Sequence, residues 1–259
     1  MWKSSIRNVT AVFFKQLKSL LYKPVYLGTS VAFLVLGFVV TLVTGDHVST
    51  SFASFLPMIV GMQLLMASSA LISEDKSTMN LRFMAMAGVR PGEYSAGVWG
   101  ALMLAATAVA LAFTLTGGFW GVSTFVLMGV LVSASAISIL LGIMFALSKM
   151  PYVTTPLAII LGLGPMMASG NDTLAEVFRF VYTNQLRLVL DYMARHAPEE
   201  IVEHICQSCG EIVFCTDAAE YAEYAANGVL AEAFFFFGIT AAVALGLMVY
   251  MNKKYGLSG

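Results

Sequence analysis

Charged residues are scarce in this chain: only 11% of its 259 residues are Asp, Glu, Lys or Arg. A soluble globular domain carries about 25% charged residues, so the composition excludes that class and predicts a protein embedded in a membrane. The hydrophobic fraction of 59% agrees with this prediction. The formal net charge of −1 is too small to indicate a partner of opposite charge, and we expect no nucleic-acid partner.

The sequence also lacks the motifs of several enzyme classes. No segment matches the Gly-x4-Gly-Lys-Ser/Thr loop that holds nucleotide phosphates or the His-Glu-x-x-His zinc motif. Gly162 and Gly164 do not begin a dinucleotide-binding fingerprint, and no paired carboxylates lie within an apolar stretch. We therefore expect no catalytic residues, no metal site and no cofactor bound by this chain. The near-absence of ionisable residues from the apolar stretches also disfavours coupling to protons or ions.

Long apolar stretches, in contrast, are abundant. A helix needs about 20 mostly apolar residues to cross the hydrocarbon core of a bilayer. The pattern thus predicts an all-α polytopic membrane protein with six transmembrane helices. Pro156 and Pro165 disfavour a straight fifth helix, and Gly117-Gly118 predicts a tight turn between the third and the fourth. The six stretches are residues 25–44, 52–72, 98–117, 119–148, 152–169 and 228–251.

Residues 1–24 have a different pattern. Apolar residues recur at helical spacing and basic residues fall mostly between them, which predicts an amphipathic helix lying on the membrane surface. A signal peptide would instead have an apolar core near its start. The apolar positions are Ile6, Val9, Phe13, Leu17, Leu20 and Leu21, and the basic positions are Lys3, Arg7, Lys15 and Lys18.

Basic residues are distributed unequally between the two sides that six crossings would create. Only Arg179, Arg187 and Arg195 lie on the side opposite the termini. Because cytoplasmic loops of membrane proteins carry the excess of Lys and Arg, both termini and the loop at 73–97 are predicted to be cytoplasmic, with residues 170–227 outside. The other basic residues are Lys3, Arg7, Lys15, Lys18, Lys23, Lys76, Arg82, Arg90, Lys149, Lys253 and Lys254.

The predicted cytoplasmic loop is charged, and its apolar residues have helical spacing. Met79, Phe83 and Met86 recur at i, i+4 and i+7. Gly88 suits the C-terminal cap of this short helix, and Pro91 suits the first turn of a second short helix. The pattern fits either a docking surface for another subunit or an interfacial loop whose Met and Phe side chains lie among lipid headgroups.

The long outer loop is predicted to form a small helical cap. Asn171 or Asp172 can cap a first helix, and Pro198 can begin a second. The segment Asp217-Ala-Ala-Glu220 resembles the capping box of a third short helix, which Gly228 would end.

Three cysteines cluster in this loop, in the segment HICQSCGEIVFC. With His204 they could be drawn as a zinc site, but cysteines in an oxidising compartment more often form disulfides. Cys206 and Cys209 are too close in sequence for a good structural bridge, so a bridge from Cys215 to one of them is favoured. The remaining cysteine would join a partner chain or stay reduced.

The loop after the second apolar stretch reads Glu-x-Lys … Leu-Arg-Phe-x-x-x-x-Gly-Val … Glu-Tyr. With six spans and an N-terminal amphipathic helix, it resembles type-2 ABC permeases, the membrane halves of ATP-binding-cassette exporters that include the G and A subfamilies. In that family the loop is the coupling helix, which contacts the nucleotide-binding subunit, and the N-terminal helix is the connecting helix. The expected coupling residues are Glu74, Lys76, Thr78, Leu81, Gly88 and Tyr94, which match the family pattern, together with Asp75, Arg82 and Phe83.

The same resemblance implies partners and a transport pathway. A separate ATPase subunit would bind ATP and Mg, and a second permease chain, identical or different, would complete a dimer. The outer loop is similar to that of G-subfamily exporters, where an intrachain disulfide stabilises the loop and a further cysteine can link two protomers. Spans two and five would line a central cavity. Candidate pathway residues are Gln63, Ser68, Thr154, Thr155 and Met166, although small polar groups also serve helix packing.

We therefore expect the permease subunit of an exporter that works by alternating access, is driven by a separate ATPase and moves a lipid, hydrophobic drug or peptide. The alternatives are a non-transporting assembly or sensor subunit, which would bind a partner through the outer loop, and an ATP-independent carrier or channel. The predicted organisation is a connecting helix at 1–24, spans one to five at 25–169, the outer cap at 170–227, and the last span with a cytoplasmic tail at 228–259.

Overall fold

The computed structural model describes residues 2–22, 55–116, 122–147, 153–168, 172–195 and 213–254, together with eight helical residues between positions 31 and 43. Within these ranges the chain is helical apart from short turns, and no strand occurs in them. The all-α class predicted from composition is therefore confirmed for the described part of the chain.

The helices are numbered in chain order. Within α2, the turn Ile59–Gln63 is π-helical. The described helices are α1 (Trp2–Tyr22), α2 (Phe55–Ser77), α3 (Asn80–Met86), α4 (Pro91–Thr116), α5 (Val122–Leu147), α6 (Thr154–Ala168), α7 (Asp172–Phe178), α8 (Tyr182–Arg195) and α9 (Val213–Lys254).

Four described helices are long and apolar enough to cross a membrane, and they coincide with four of the six predicted stretches. The stretch at 152–169 forms α6, whose 15 residues cover only about 22 Å of a hydrocarbon core that is about 30 Å thick. The stretch at 25–44 lies mostly outside the described residues. The four apolar segments are Phe55–Ser77, Pro91–Leu115, Leu127–Leu147 and Ala231–Tyr250.

Two apolar cores lie at opposite ends of the bundle, and α2, α4 and α5 contribute to both. The first core joins the beginning of α2 and α5 and the end of α4 to α6, α8 and α9. The second joins the end of α2 and α5 and the beginning of α4 to α1 and α3. The second core therefore lies behind the loop that the sequence analysis singled out.

Glycines allow α2 to approach its neighbours closely. A Cβ atom added to Gly61 would lie 2.7 Å from the carbonyl oxygen of Leu161 in α6. On α5, a Cβ added to Gly142 would lie 2.6 Å from the carbonyl oxygen of Leu65 in α2. Because small residues let the backbones of membrane helices come into contact, these two crossings fix α2 against both α5 and α6.

The last helix differs from the prediction. We expected a short helix that ends at Gly228 and a separate span after it, but α9 runs without interruption from Val213 to Lys254. A glycine inside a helix costs only about 1 kcal/mol relative to alanine. The alanine-rich residues around Gly228 favour helix strongly enough to offset this cost, so the proposed boundary between 227 and 228 lies inside one helix.

The predicted outer cap is partly built into the bundle. Helix α8 is amphipathic, and its buried face contributes Tyr182, Leu186, Val189 and Leu190 to the first core. The region 172–195 is thus held against the apolar helices and does not form a separate cap. Cys206, Cys209, His204 and Pro198 lie outside the described residues, and only the backbone of Cys215 is described, so the predicted disulfide stays a prediction.

Candidate functional site

A tight helical hairpin connects α2 to α4. After α2 ends at Ser77, Met79 adopts a left-handed conformation with φ 58°, and Gly88 adopts another with φ 80°. The two left-handed residues bracket the two-turn helix α3. Glycine adopts such a conformation readily, whereas for Met79 the left-handed conformation costs about 1 kcal/mol of free energy. Pro91 begins α4 itself and not a separate short helix, since its fixed φ suits a first helical turn and the residues after it continue as helix.

One side of the 78–90 hairpin exposes a stripe of large apolar side chains. Met79, Phe83 and Met86 are 57%, 63% and 69% exposed. Arg82 is exposed beside them, while Leu81 points the other way and is 6% exposed, in the second core. The hairpin therefore has an outer face with apolar and cationic groups and an inner face fixed to the bundle.

Behind the hairpin, the Asp75 carboxylate collects four hydrogen bonds. Its Oδ1 accepts from Lys15 Nζ at 2.6 Å and from Asn80 Nδ2 at 3.3 Å. Its Oδ2 accepts from Gln16 Nε2 at 2.6 Å and from the Tyr94 hydroxyl at 2.8 Å. We call these five residues the Asp75 cluster. They come from four helices, namely α1, α2, α3 and α4.

The chemistry of the Asp75 cluster explains why a carboxylate can be buried there. A buried charge is costly unless it is paired and hydrogen-bonded, and Asp75 is only 5% exposed. The Lys15 side chain is 38% exposed, so water weakens this ion pair. Gln16 and Tyr94 are almost fully buried, and their bonds to a charged acceptor are the stronger contribution. Removing the carboxylate would leave these donors unsatisfied.

Two further charged side chains connect helices at the same end of the bundle. Glu93 Oε2, in the first turn of α4, accepts from Asn8 Nδ2 at 2.9 Å and from the backbone N–H of Arg90 at 3.0 Å. The Lys76 ammonium donates to the carbonyl oxygen of Ala146 near the end of α5. Both charges lie at the favourable end of the helix dipole. Helices α1, α2, α4 and α5 are therefore connected around the base of the hairpin.

A largely apolar pocket, partly open to its surroundings, lies deeper in the bundle; we call it the cavity. Its walls come from α1, α2, α4 and α5, and the π-helical turn of α2 forms part of one wall. Gln63 and Ser135 are the polar residues among the described lining, and Leu20 of α1 lies at the edge nearest the Asp75 cluster. Such a cavity suits a hydrophobic molecule with few hydrogen-bonding groups.

No protein-family model matches this chain, and neither the curated proteins nor the solved structures give a match. The resemblance to type-2 ABC permeases therefore stays a prediction from the sequence. Among the described residues, no group of three His, Cys, Asp or Glu side chains could hold a metal ion.

The structure divides the predicted coupling residues into two groups. Three are buried and bind within the bundle, so they hold the hairpin in place and do not present a surface to a partner. Of the others, Thr78, Arg82, Phe83 and Gly88 lie on or beside the outer face, while Lys76 binds Ala146 of α5. The buried residues are Asp75, Leu81 and Tyr94; Thr78, Arg82, Phe83 and Gly88 are exposed, and Glu74 and Lys76 are half-buried.

Two of the five predicted pathway residues are buried at helix contacts. Ser68 donates a hydrogen bond to the carbonyl oxygen of Leu65. Thr154 Oγ1 accepts a hydrogen bond of 3.2 Å from Ser69 Oγ across the α2–α6 crossing. Thr155 is exposed, and the Met166 side chain lies outside the description. Of the predicted set, Gln63 alone is in the described wall of the cavity.

Sequence reasoning missed the α1 residues that complete the site. Lys15 and Gln16 are adjacent in sequence, and Gln16 is 1% exposed. A polar glutamine on the buried side of an amphipathic helix was an available signal, because a buried amide requires partners. Asn8 gave a weaker signal, since an asparagine on such a helix is ordinarily solvated.

Buried polar groups also connect the opposite end of the bundle. The Tyr182 hydroxyl and Ser138 Oγ are hydrogen-bonded at 2.7 Å in the first core. Burial raises the pKa of the Tyr182 hydroxyl, so it stays neutral and able to donate. At the surface, Arg179 Nε pairs with Glu232 Oε1 at 3.0 Å, which joins the turn before α8 to α9. This exposed pair contributes at most about 1 kcal/mol.

Proposed function

We propose that this chain is the membrane subunit of an ATP-binding-cassette exporter and that the 78–90 hairpin receives motion from a separate ATPase subunit. The observation that carries the proposal is the two-sided construction of the hairpin. Its outer face exposes Met79, Phe83 and Met86, and its base is attached to the three helices α1, α2 and α4 through the Asp75 cluster. A part that transmits force needs both a contact area and a rigid attachment.

The outer face has the composition of a protein contact. Aromatic residues, Met and Arg are enriched in protein–protein interfaces, and all three types occur on α3 in Phe83, Met86 and Arg82. Methionine adapts its shape to a cleft, while a phenylalanine can act as the buried anchor. An interfacial loop among lipid headgroups would need the same apolar stripe but no rigid attachment at its base, which favours docking of a protein.

The fold offers a route from the hairpin to the cavity. Asp75 lies in the last turn of α2, so displacement of the hairpin acts directly on that helix. Close packing prevents α2 from moving without its neighbours, because its contacts at Gly61 and Gly142 involve backbone atoms. The π-helical turn Ile59–Gln63 lines the cavity, and such turns frequently lie at functional sites. We infer that a push on the hairpin changes the shape of the cavity.

The remaining parts of the proposal rest on the cavity, on the charge distribution and on the resemblance to type-2 ABC permeases. The apolar cavity suits a lipid, a hydrophobic drug or a hydrophobic peptide better than a sugar or an ion. The excess of basic residues on one side favours a cytoplasmic location for the hairpin and both termini, where ATP is available. ATP and Mg would be bound by the partner ATPase, and this chain would supply its docking face. A second permease chain would complete the central pathway.

The test is purification of the tagged full-length chain from its native membrane in mild detergent, with mass spectrometry of co-purifying proteins and an ATPase assay. We expect an ABC ATPase in the complex. Phe83→Asp places a carboxylate in the middle of the exposed stripe. Loss of an aromatic anchor typically costs at least about 2 kcal/mol of binding, so we expect recovery of the ATPase to fall roughly thirtyfold.

Ala85→Asp is the matched control, because Ala85 is exposed on the same helix but lies off the stripe. This variant should retain most of the ATPase. Equal recovery with Phe83→Asp and with the unchanged chain would contradict docking through the stripe. If no ABC ATPase co-purifies, even after mild cross-linking, the proposed function itself is refuted.

A further inference from the structure

Two of the three side chains in the exposed stripe of the 78–90 hairpin are methionines. Met79 and Met86 lie on either side of Phe83 and are 57% and 69% exposed. Met84, two residues from Met86 on the same short helix, is half-buried and packs against the second core. Helix α3 and its cap therefore present two methionine side chains outwards and turn a third towards the bundle.

The position of the hairpin makes the two outward methionines accessible from water. The hairpin joins Phe55–Ser77 to Pro91–Leu115, each long and apolar enough to cross a membrane, so it lies beyond the hydrocarbon layer that would cover those helices. Two other methionines are exposed, but Met66 lies within the first apolar segment and Met167 lies near the end of α6. Neither belongs to the stripe.

A methionine thioether reacts with hydrogen peroxide by oxygen transfer. The sulfur lone pair attacks one peroxide oxygen, so that an S–O bond forms and the O–O bond breaks, and the second oxygen leaves with both protons as water. The sulfur is oxidised by two electrons, and the peroxide is reduced by two. The product, methionine sulfoxide, is polar and is returned to methionine by thiol-dependent reductases. In that step two thiols become a disulfide and the sulfoxide oxygen leaves as water.

Oxidation at these two positions changes the chemical character of the stripe. Sulfoxides at Met79 and Met86 leave Phe83 as its one apolar side chain, and burial of a polar group in an apolar cleft is costly. A sulfoxide at Met86 also places a hydrogen-bond acceptor one turn from Arg82, since residues four apart on a helix are neighbours. The Arg82 guanidinium can then donate to the sulfoxide oxygen instead of to a partner.

We propose that Met79 and Met86 form a peroxide-sensitive switch: their oxidation to sulfoxides releases the subunit that docks on the hairpin, and their reduction restores docking. Oxidation of the two side chains is a property of this chain alone. Its effect on docking rests on the proposed function, because it requires an ATPase subunit on the stripe. A docked subunit covers both methionines, so the undocked hairpin is the form that reacts with peroxide.

The first measurement uses the purified full-length chain in detergent, without any partner. The chain is exposed to dilute hydrogen peroxide, and tandem mass spectrometry of its peptides gives the sulfoxide fraction at each methionine over time. We expect Met79 and Met86 to be oxidised several times faster than Met84, the matched control on the same helix, because susceptibility follows exposure. Equal rates at the three positions would overturn the proposal, since the stripe would then be no more accessible than the side that faces the core.

The second measurement uses the complex purified with its ATPase subunit. Burial of one methionine side chain is worth at least about a tenfold difference in binding. We therefore expect peroxide, or the double variant Met79→Gln with Met86→Gln, to lower recovery of the ATPase by at least about tenfold. The double variant Met79→Leu with Met86→Leu keeps an apolar stripe without oxidisable sulfur, so it should retain the ATPase in peroxide. Met84→Leu should lose the ATPase in peroxide as the unchanged chain does.

The outcomes separate the switch from the proposed function. Loss of the ATPase from the leucine double variant in peroxide would place the sensitive group elsewhere and overturn the switch. Full recovery of the ATPase after both methionines are oxidised would also overturn it, while the exporter proposal would stand. Absence of any ATPase before peroxide is added would refute the proposed function and the release step together, and the first measurement would still decide whether the two methionines are a modification site.

Discussion

Substitution of Asp75 by asparagine is the sharpest perturbation of the site. The change keeps the shape of the side chain and removes its charge. Each oxygen of the carboxylate now serves two donors: Lys15 and Asn80 on Oδ1, and Gln16 and Tyr94 on Oδ2. An asparagine has one oxygen and one NH2 group, so in either orientation one pair of donors faces another donor. With the four donors held as they are in the structure, the variant therefore leaves two of the four hydrogen bonds unmade.

The size of the effect follows from which pair is lost. The amide should turn its oxygen towards the buried Gln16 and Tyr94, because Lys15 is 38% exposed and can move into water. Hydrogen bonds to a charged group contribute about 1.5–3 kcal/mol, and a partly exposed ion pair contributes about 1 kcal/mol or less. We expect Asp75→Asn to lower the free energy of opening of the hairpin base by about 2–3 kcal/mol.

Hydrogen exchange measured by mass spectrometry reports this opening directly. A loss of about 2–3 kcal/mol corresponds to exchange that is about 30- to 150-fold faster. The increase should be confined to α3 and to the part of α1 around Lys15, since both are held by the cluster. Exchange in the middle of α5 should not change, because Leu131 and Ala134 lie in the other core.

Glu74→Gln is the control, because it removes the same charge from the adjacent, half-buried position. It should change exchange in α3 by less than about threefold, as expected for a partly exposed carboxylate. If Asp75→Asn left exchange in both α1 and α3 within threefold of the unchanged chain, the Asp75 cluster would not be what holds the hairpin. The proposed rigid attachment would then fail.

Two further predictions concern the bundle. Gly142→Ala should lower the thermal stability of the purified chain by several degrees and reduce its yield, because the new methyl group meets the α2 backbone. Gly129→Ala, in open space on the same helix, should be neutral or slightly stabilising, and similar losses in both would refute a close crossing. Tyr182→Phe should destabilise the chain by about 1 kcal/mol, since it removes the bond to Ser138; a stability equal to that of the unchanged chain would show that this bond contributes nothing net.

Much of the fold was predictable because hydropathy is a local property. Four apolar segments coincide with predicted spans, and α3 lies where the Met79, Phe83 and Met86 spacing predicts a helix. The boundary at Gly228 was misplaced, since glycine marks a helix end only when the chain beyond it turns. The burial of α8 was also missed: its apolar stripe indicated a covered face but not which helices cover it.

The sequence placed the predicted coupling residues in one segment but did not distinguish the two faces of that segment. Glu74, Asp75 and Lys76 are three adjacent charged residues, yet Asp75 is buried and the other two are half-buried. The difference of about 100° between successive helical residues sends each side chain towards different surroundings. Only the packing of the other helices shows that Asp75 meets Lys15 and Gln16 of α1 and that Lys76 meets Ala146 of α5.

The sequence by itself determined that this chain is helical, that it is rich in segments long and apolar enough to cross a membrane, and that a charged hairpin interrupts them, because these properties depend on neighbouring residues alone. The tertiary structure decided that the hairpin is attached through a carboxylate to Lys15, 60 positions earlier, and that α1 lies along α4. Contacts of this range depend on how several helices pack at once, and the close approaches at their glycines select one arrangement. The site is therefore a property of the assembled bundle, since no single segment contains both the carboxylate and its donors.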